Sequence, residues 1–179
     1  MTYENFTVNA QEAILKSQQL AGSLDQQGVD TIHLIKGIIE TDEKLAEFLL
    51  NKMGVNLPML KRDLNVELEK YPKVQGGDKQ YLTNDANKAL ATAKKLLKDF
   101  GDEFISIELM LMGIILGNDK AATILKNHGV TADKMKIAIT ELRKGRKVTD
   151  QNAENQYNSL KKFAVDLNER AESGKLDPI

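Results

Sequence analysis

The chain has 179 residues, two histidines (His33 and His128) and no cysteine. A zinc centre needs three or four converging ligands, often two histidines one helical turn apart, and these two are far from that spacing. No metal centre is expected. His33 lies in the apolar run Ile32 to Ile39 and is expected to pack or hydrogen-bond there. His128 precedes Gly129, where an imidazole can meet terminal helix carbonyls. Covalent catalysis also lacks parts, since there is no thiol and no Gly-x-Ser-x-Gly elbow. Phosphate binding would need G-x-x-x-x-G-K-[ST]. The nearest stretches, Gly76-Gly77-Asp78-Lys79 and Gly117-Asn118-Asp119-Lys120, have neither the spacing nor the following hydroxyl. Glu40, Asp42 and Glu43 read as solvated residues around a helix start rather than an acid–base pair. The chain is expected to be no enzyme, to carry no cofactor, and to act by binding.

Composition narrows what it could bind. Lysine and arginine number 25 against 26 acidic residues, so no long-range field draws nucleic acid or an anionic membrane. The N-terminus lacks a basic stretch leading into an apolar run, and no segment reaches the roughly 18 apolar residues of a membrane span. The absence of cysteine suits a reducing compartment. A cytoplasmic protein is expected, with no nucleic-acid or membrane partner.

The elements that must position any binding residues come in two copies. Ala10, Ala13, Ile14, Ser17, Leu20, Ala21 and Leu24 step by three and four, the mark of a helix with one buried stripe. Ala86, Ala89, Leu90, Ala93, Leu96, Leu97 and Phe100 repeat that stripe 76 residues on. The same register carries Gly37-Ile38-Ile39 onto Gly113-Ile114-Ile115 and Glu43-Lys44 onto Asp119-Lys120. It then drops to 75, pairing Leu50 with Leu125, Gly54-Val55 with Gly129-Val130, Leu60 with Met135 and Leu64 with Ile139.

Capping residues and glycines divide each copy into four helices. Asn9, Thr31, Thr41 or Asp42, and Asn56 are the expected starts in the first copy, and Ser106, Asn118 and Thr131 serve the second. Gly54 and Gly129 suit left-handed stops, and Pro58 suits a first helical turn. Tyr71 to Gly77 reads as the connecting loop. The fold class is therefore all-α, with eight short helices as two four-helix repeats related by a pseudo-twofold. The repeats run over about 5–70 and 80–144, within one domain at 1–145. One unit of this size would bury a marginal core alone, so the copies should pack together.

Residues 146–156 are polar and read as a linker. Tyr157, Leu160, Ala164, Leu167 and Ala171 then mark a C-terminal linker helix over 157–179. It is expected to be the first helix of a truncated further unit, because Gly174 to Ile179 ends without a closing element.

The doubled unit, with its run Ile32-His33-Leu34-Ile35-Lys36-Gly37-Ile38-Ile39, resembles the Clp N-terminal repeat domain over residues 5 to 144. The tail, through Leu160-Lys161-Lys162-Phe163, Asp166 to Ala171 and Gly174-Lys175-Leu176-Asp177-Pro178, is similar to the entry into the first AAA+ module of ClpB-type disaggregases. Phe6-Thr7 through Gln11-Glu12-Ala13 is similar to the same branch.

The resemblance implies a hexameric parent that uses ATP and Mg²⁺ to thread aggregated polypeptide, together with a DnaK-type chaperone system. This chain, monomeric by itself, would then engage unfolded or aggregated proteins. The alternative is an adaptor-docking domain of a Clp protease ATPase. Candidate client contacts are the apolar Leu90, Leu97, Phe104, Leu109 and Met110, on a groove between repeats. By the resemblance, Thr7, Asp102 and Glu108 match polar positions linked in this family to disaggregation.

Overall fold

The structure, a computed model, describes residues 3–76 and 79–154. The expected helix over 157–179 and the last two residues of the expected linker lie outside them. The first repeat comprises α1 (Val8–Ser23), α2 (Thr31–Thr41), α3 (Glu43–Lys52) and α4 (Leu57–Leu68). The second comprises α5 (Asn84–Lys95), the single turn α6 (Leu97–Phe100), α7 (Ile107–Ile115), α8 (Lys120–Asn127) and α9 (Ala132–Arg143). The stripe expected as one helix over 86–100 is thus divided at Leu96. Its N–H is shared between the carbonyls of Thr92 and Ala93, and the ladder resumes where Phe100 N–H donates to Leu96.

Helix starts follow side-chain oxygens that can reach the third helical amide. Thr7, Asp42, Asn56, Thr83, Ser106, Asp119 and Thr131 all accept such a bond. Three expected caps move. Thr7, with extended backbone, caps α1 in place of Asn9, and Asp119 replaces Asn118. Asp30 replaces Thr31, which is already helical and donates its hydroxyl to Asp119 of the other repeat at 2.7 Å. Stops are left-handed where expected. Gly54 (φ +77°) and Gly129 (φ +94°) let Val55 and Val130 donate back to Leu50 and Leu125.

The repeats interlock by exchange. Strand β1 (Gly28–Val29) pairs in parallel with β2 (Tyr81–Leu82), setting Val29 opposite Leu82. Phe6 makes the equivalent bridge to Ile105. Moving 76 residues carries Phe6 to Leu82 and Val29 to Ile105, so each repeat's first segment pairs with the other repeat. Likewise α3 packs on α9 and α4 on α8, while α1 meets α7 and α2 meets α5. One continuous core results, from Phe6 to Ala153. Full burial of a Leu or Ile is worth about 1.5–3 kcal/mol, and residues such as Leu34, Leu64 and Ile139 are wholly inside.

Close helix approach explains the repeated glycine. A Cβ at Gly37 would stand 2.3 Å from the Ala13 carbonyl oxygen, and one at Gly113 would stand 2.3 Å from that of Ala89. Without a side chain at that point α2 lies directly on α1, and α7 on α5.

Candidate functional site

Thr7, Asp102 and Glu108, distant in sequence, converge in one buried polar cluster. Thr7 sits at the N-cap of α1, Glu108 in the first turn of α7, and Asp102 just beyond the left-handed Gly101 that ends α6. Arg143, the last residue of α9, ties Asp102 and Glu108 together. Its Nη1 donates to Asp102 at 2.9 Å, its Nε to Glu108 at 3.1 Å and its Nη2 to the Ser106 hydroxyl at 3.2 Å. The guanidinium also lies 5.4 Å from the Phe100 ring centroid. Arg143 is only 4 % exposed and Glu108 not at all. A guanidinium so buried persists because carboxylates surround it and its donors are used.

Residues 146–154, read as a linker from their polarity, are fastened against this cluster. Lys144 (φ +51°) and Gly145 (φ +86°) turn the chain back after α9. Val148 N–H then donates to Asp102 at 3.0 Å, and its carbonyl accepts from Glu103 N–H at 2.8 Å. Gln151 accepts from Val8 N–H at 2.9 Å and donates to the Glu4 carbonyl at 3.1 Å. Val148 and Ala153 enter the core, and Glu154 is 1 % exposed. Polarity failed as a guide because Gln151 and Glu154 spend their polar groups on the domain, while Thr149, Asp150 and Asn152 stay exposed.

Glu154 accepts the N–H of Ile107, the first residue of α7, at 2.6 Å and a bond from the Thr7 hydroxyl. Its carboxyl also faces that of Glu108. Two carboxylates are acceptors only, so a hydrogen bond between them requires a proton on one. Burial, then the negative Glu108, push the Glu154 carboxyl up to about 8, against the bonds from Thr7 and Ile107. Burial likewise raises Asp102, offset by the Val148 amide and Arg143.

The first repeat holds the corresponding place with other groups. Asp30 stands where Ser106 stands, and its carboxylate accepts from the hydroxyls of Thr83 at 2.7 Å and Tyr71 at 2.8 Å. Gln26 matches Asp102 and donates to the Leu68 carbonyl at 2.7 Å, Leu68 being the partner of Arg143. His33 Nδ1 accepts the Asp30 amide at 2.9 Å while Nε2 lies 2.7 Å from Gln26 Oε1, an arrangement suited to the neutral ring. Burial lowers its pKa to about 4. Asp30, Asp85 and Asp119 come close enough to share a cation. The four oxygens of Asp30 and Asp119 each already accept a hydrogen bond, so the trio is a junction between the repeats.

The apolar candidates separate. Leu90, Leu109 and Met110, offered as a groove, are core residues. Every residue of α7 is buried, because a helix that is apolar on all faces except for Glu108, which Arg143 pairs, belongs at the centre of a domain. Leu97 and Phe104 remain half-buried, with Leu96 and Phe100 beside them in sequence.

Arg143 and Glu154 are the members that sequence reasoning missed. For Arg143 a signal existed: it falls four residues after Ile139 on the buried stripe of α9, at the register position of buried Leu68. For Glu154 none did, since it lies beyond the repeat in a polar stretch.

Known proteins are similar to this chain. The family model described as the Clp repeat (R) N-terminal domain matches residues 5–128. The chain is 39% identical over 179 residues to the "Chaperone protein ClpB" of Bacteroides thetaiotaomicron, covering all of this chain and 21% of that protein. The ClpB of Porphyromonas gingivalis is 38% identical over the same span, again 21% of its length. Among solved structures, the Hsp104 N-terminal domain of Candida albicans superposes with a TM-score of 0.74 at 22% identity, covering 84% of this chain and 99% of that one.

Proposed function

The chain belongs to the Clp repeat N-terminal domain family, and from that premise we propose that it is the client-engaging domain of a ClpB-like disaggregase. The observation that carries this reading is the likeness to ClpB chaperones along the whole chain, including the 51 residues after the family model ends at residue 128. That extension favours the disaggregase over an adaptor-docking domain of a protease-coupled ATPase. ATP and Mg²⁺ would be bound by the rest of such a protein, since no residues here form a phosphate loop. Hexamer formation and cooperation with a DnaK-type system would belong to that larger assembly too. This chain alone would be monomeric.

With Leu90, Leu109 and Met110 in the core, the client surface reduces to the half-buried Leu97 and Phe104, flanked by Leu96 and Phe100 around the α6 turn. Partly open apolar groups of this kind suit weak, sequence-tolerant contact with exposed hydrophobic segments. Thr7, Asp102 and Glu108 would act from within the fold, because their side chains are buried.

The test is fluorescence anisotropy of a labelled, reduced and carboxymethylated protein that cannot refold, titrated with the 179-residue chain. Binding is expected, and the Leu97→Ser/Phe104→Ser variant should weaken it at least about fivefold, an energy of ~1 kcal/mol. No binding by the natural sequence, or unchanged affinity in a folded double variant, overturns the assignment.

A further inference from the structure

We propose that residues 148–154 form a releasable strap, latched where Glu154 meets the start of α7, and that Thr7, Asp102 and Glu108 serve to hold this latch. Three features of the molecule converge on it. The strap is bonded at both ends and in its middle: Val148 with Asp102 and Glu103, Gln151 with Val8 and Glu4, Glu154 with Ile107. Its end completes a position that the repeat leaves short. At the start of α2, Asp30 supplies a carboxylate, whereas at the start of α7 the register places Ser106 and the carboxylate comes from Glu154. An anion there is favoured by the helix dipole and by first-turn amides that have no carbonyl partner within the helix.

The third feature makes the latch releasable. Only Val148 and Ala153 are buried apolar side chains in this strap, so opening it exposes far less apolar surface than unfolding a helix. Asp102 and Glu108 share the Arg143 guanidinium, and Glu154 faces Glu108, a carboxyl–carboxyl contact that is favourable only with a proton between the two. Glu108 of α7 is the charged group facing Glu154, with Arg143 of α9 and Asp102 of the preceding loop behind it. Removing the proton sets two negative groups against each other out of water. Glu154, raised in the latched state, contributes stability that is complete below the ordinary glutamate range and lost as pH rises through about 8.

Release would free seven residues, about 24 Å of extended chain at roughly 3.4 Å each. The latch therefore sets whether the segment after Glu154 leaves from the domain surface or from the end of a longer tether.

The test is amide hydrogen exchange by NMR on the 179-residue chain at pH 6 to 9, corrected for intrinsic rates. It compares the natural sequence with Glu154→Gln and Glu154→Ala. The amides of Val8, Glu103, Ile107 and Val148 report the strap, and that of Leu64 the core. In the natural chain the four should exchange as a group, faster than Leu64, with protection falling up to about tenfold per pH unit from pH 6 towards about 8 and levelling off above it. Glutamine can donate to Glu108 and accept from Ile107 without a shared proton, so Glu154→Gln should abolish that pH dependence. Glu154→Ala should lower the group's protection about tenfold or more at every pH while leaving Leu64 unchanged. Four amides that exchange independently, a Glu154→Gln variant with the natural pH profile, or unaltered protection in Glu154→Ala would each overturn the latch. If Glu154→Ala does not fold, the Glu154→Gln comparison decides.

Discussion

Replacing Arg143 with methionine removes the charge at the centre of the cluster while keeping a side chain long enough to lie against Phe100. Asp102 and Glu108 would then lose their guanidinium bonds of 2.9 and 3.1 Å in a site where neither side chain reaches water. Breaking a buried pair from one side typically costs about 3–5 kcal/mol, because the carboxylate left behind keeps its desolvation penalty. Against a typical domain stability of about 5–15 kcal/mol, that is a large fraction. With a urea m-value of about 2 kcal/mol/M, the unfolding midpoint should fall by roughly 2 M. The pH dependence tests the cause. Without the guanidinium the folded state holds its carboxyl protons more tightly than the unfolded chain, so the variant's deficit should grow from pH 4 to pH 7. Adding Asp102→Asn should recover part of the loss. The measurement is urea unfolding by circular dichroism at pH 4, 5.5 and 7 for all three chains. A loss below about 1 kcal/mol at pH 7, or a deficit independent of pH, would refute the charge-pairing argument.

Two other features yield expected outcomes. In an exposed helix Gly→Ala gains about 1 kcal/mol, but at Gly113 the new methyl meets the Ala89 carbonyl at 2.3 Å, and overpacking costs about 1–3 kcal/mol or more. Gly113→Ala and its counterpart Gly37→Ala should therefore lower Tm by several degrees in calorimetry, and an unchanged or raised Tm would count against the close helix contact. His33, with Nδ1 and Nε2 both engaged, should stay neutral in NMR titration until about pH 4, and stability should fall as pH drops from the ordinary histidine range through that value. A His33 midpoint near 6.5 would contradict the burial of the ring.

The architecture was legible because each repeat carries its own punctuation and stripe. Gly37 and Gly113, Gly54 and Gly129, and the Ala10 and Ala86 stripes specify helices by local rules alone, and the register between them specifies the pairing. Side-chain chemistry was less legible. An apolar run such as Ile107 to Ile115 is the same string whether it lines a groove or fills a core, and only packing from α1, α5, α8 and α9 places Leu109 and Met110 inside. Cap positions shifted by a residue or two for a similar reason, as Thr31 shows by donating across the repeats to Asp119.

By itself, then, the sequence determined a doubled helical domain, the likeness that places it among Clp N-terminal domains, and the absence of parts for phosphate or thiol chemistry. The tertiary structure decided what the polar residues do. Thr7, Asp102, Glu108, Arg143 and Glu154 span nearly the whole described chain, and no local pattern relates them. They meet because the repeats exchange their first segments and the chain folds back after α9. Burial then converts five ordinary surface types into one network whose charges depend on each other, since a charge taken out of water keeps its ionisation only by virtue of the groups beside it.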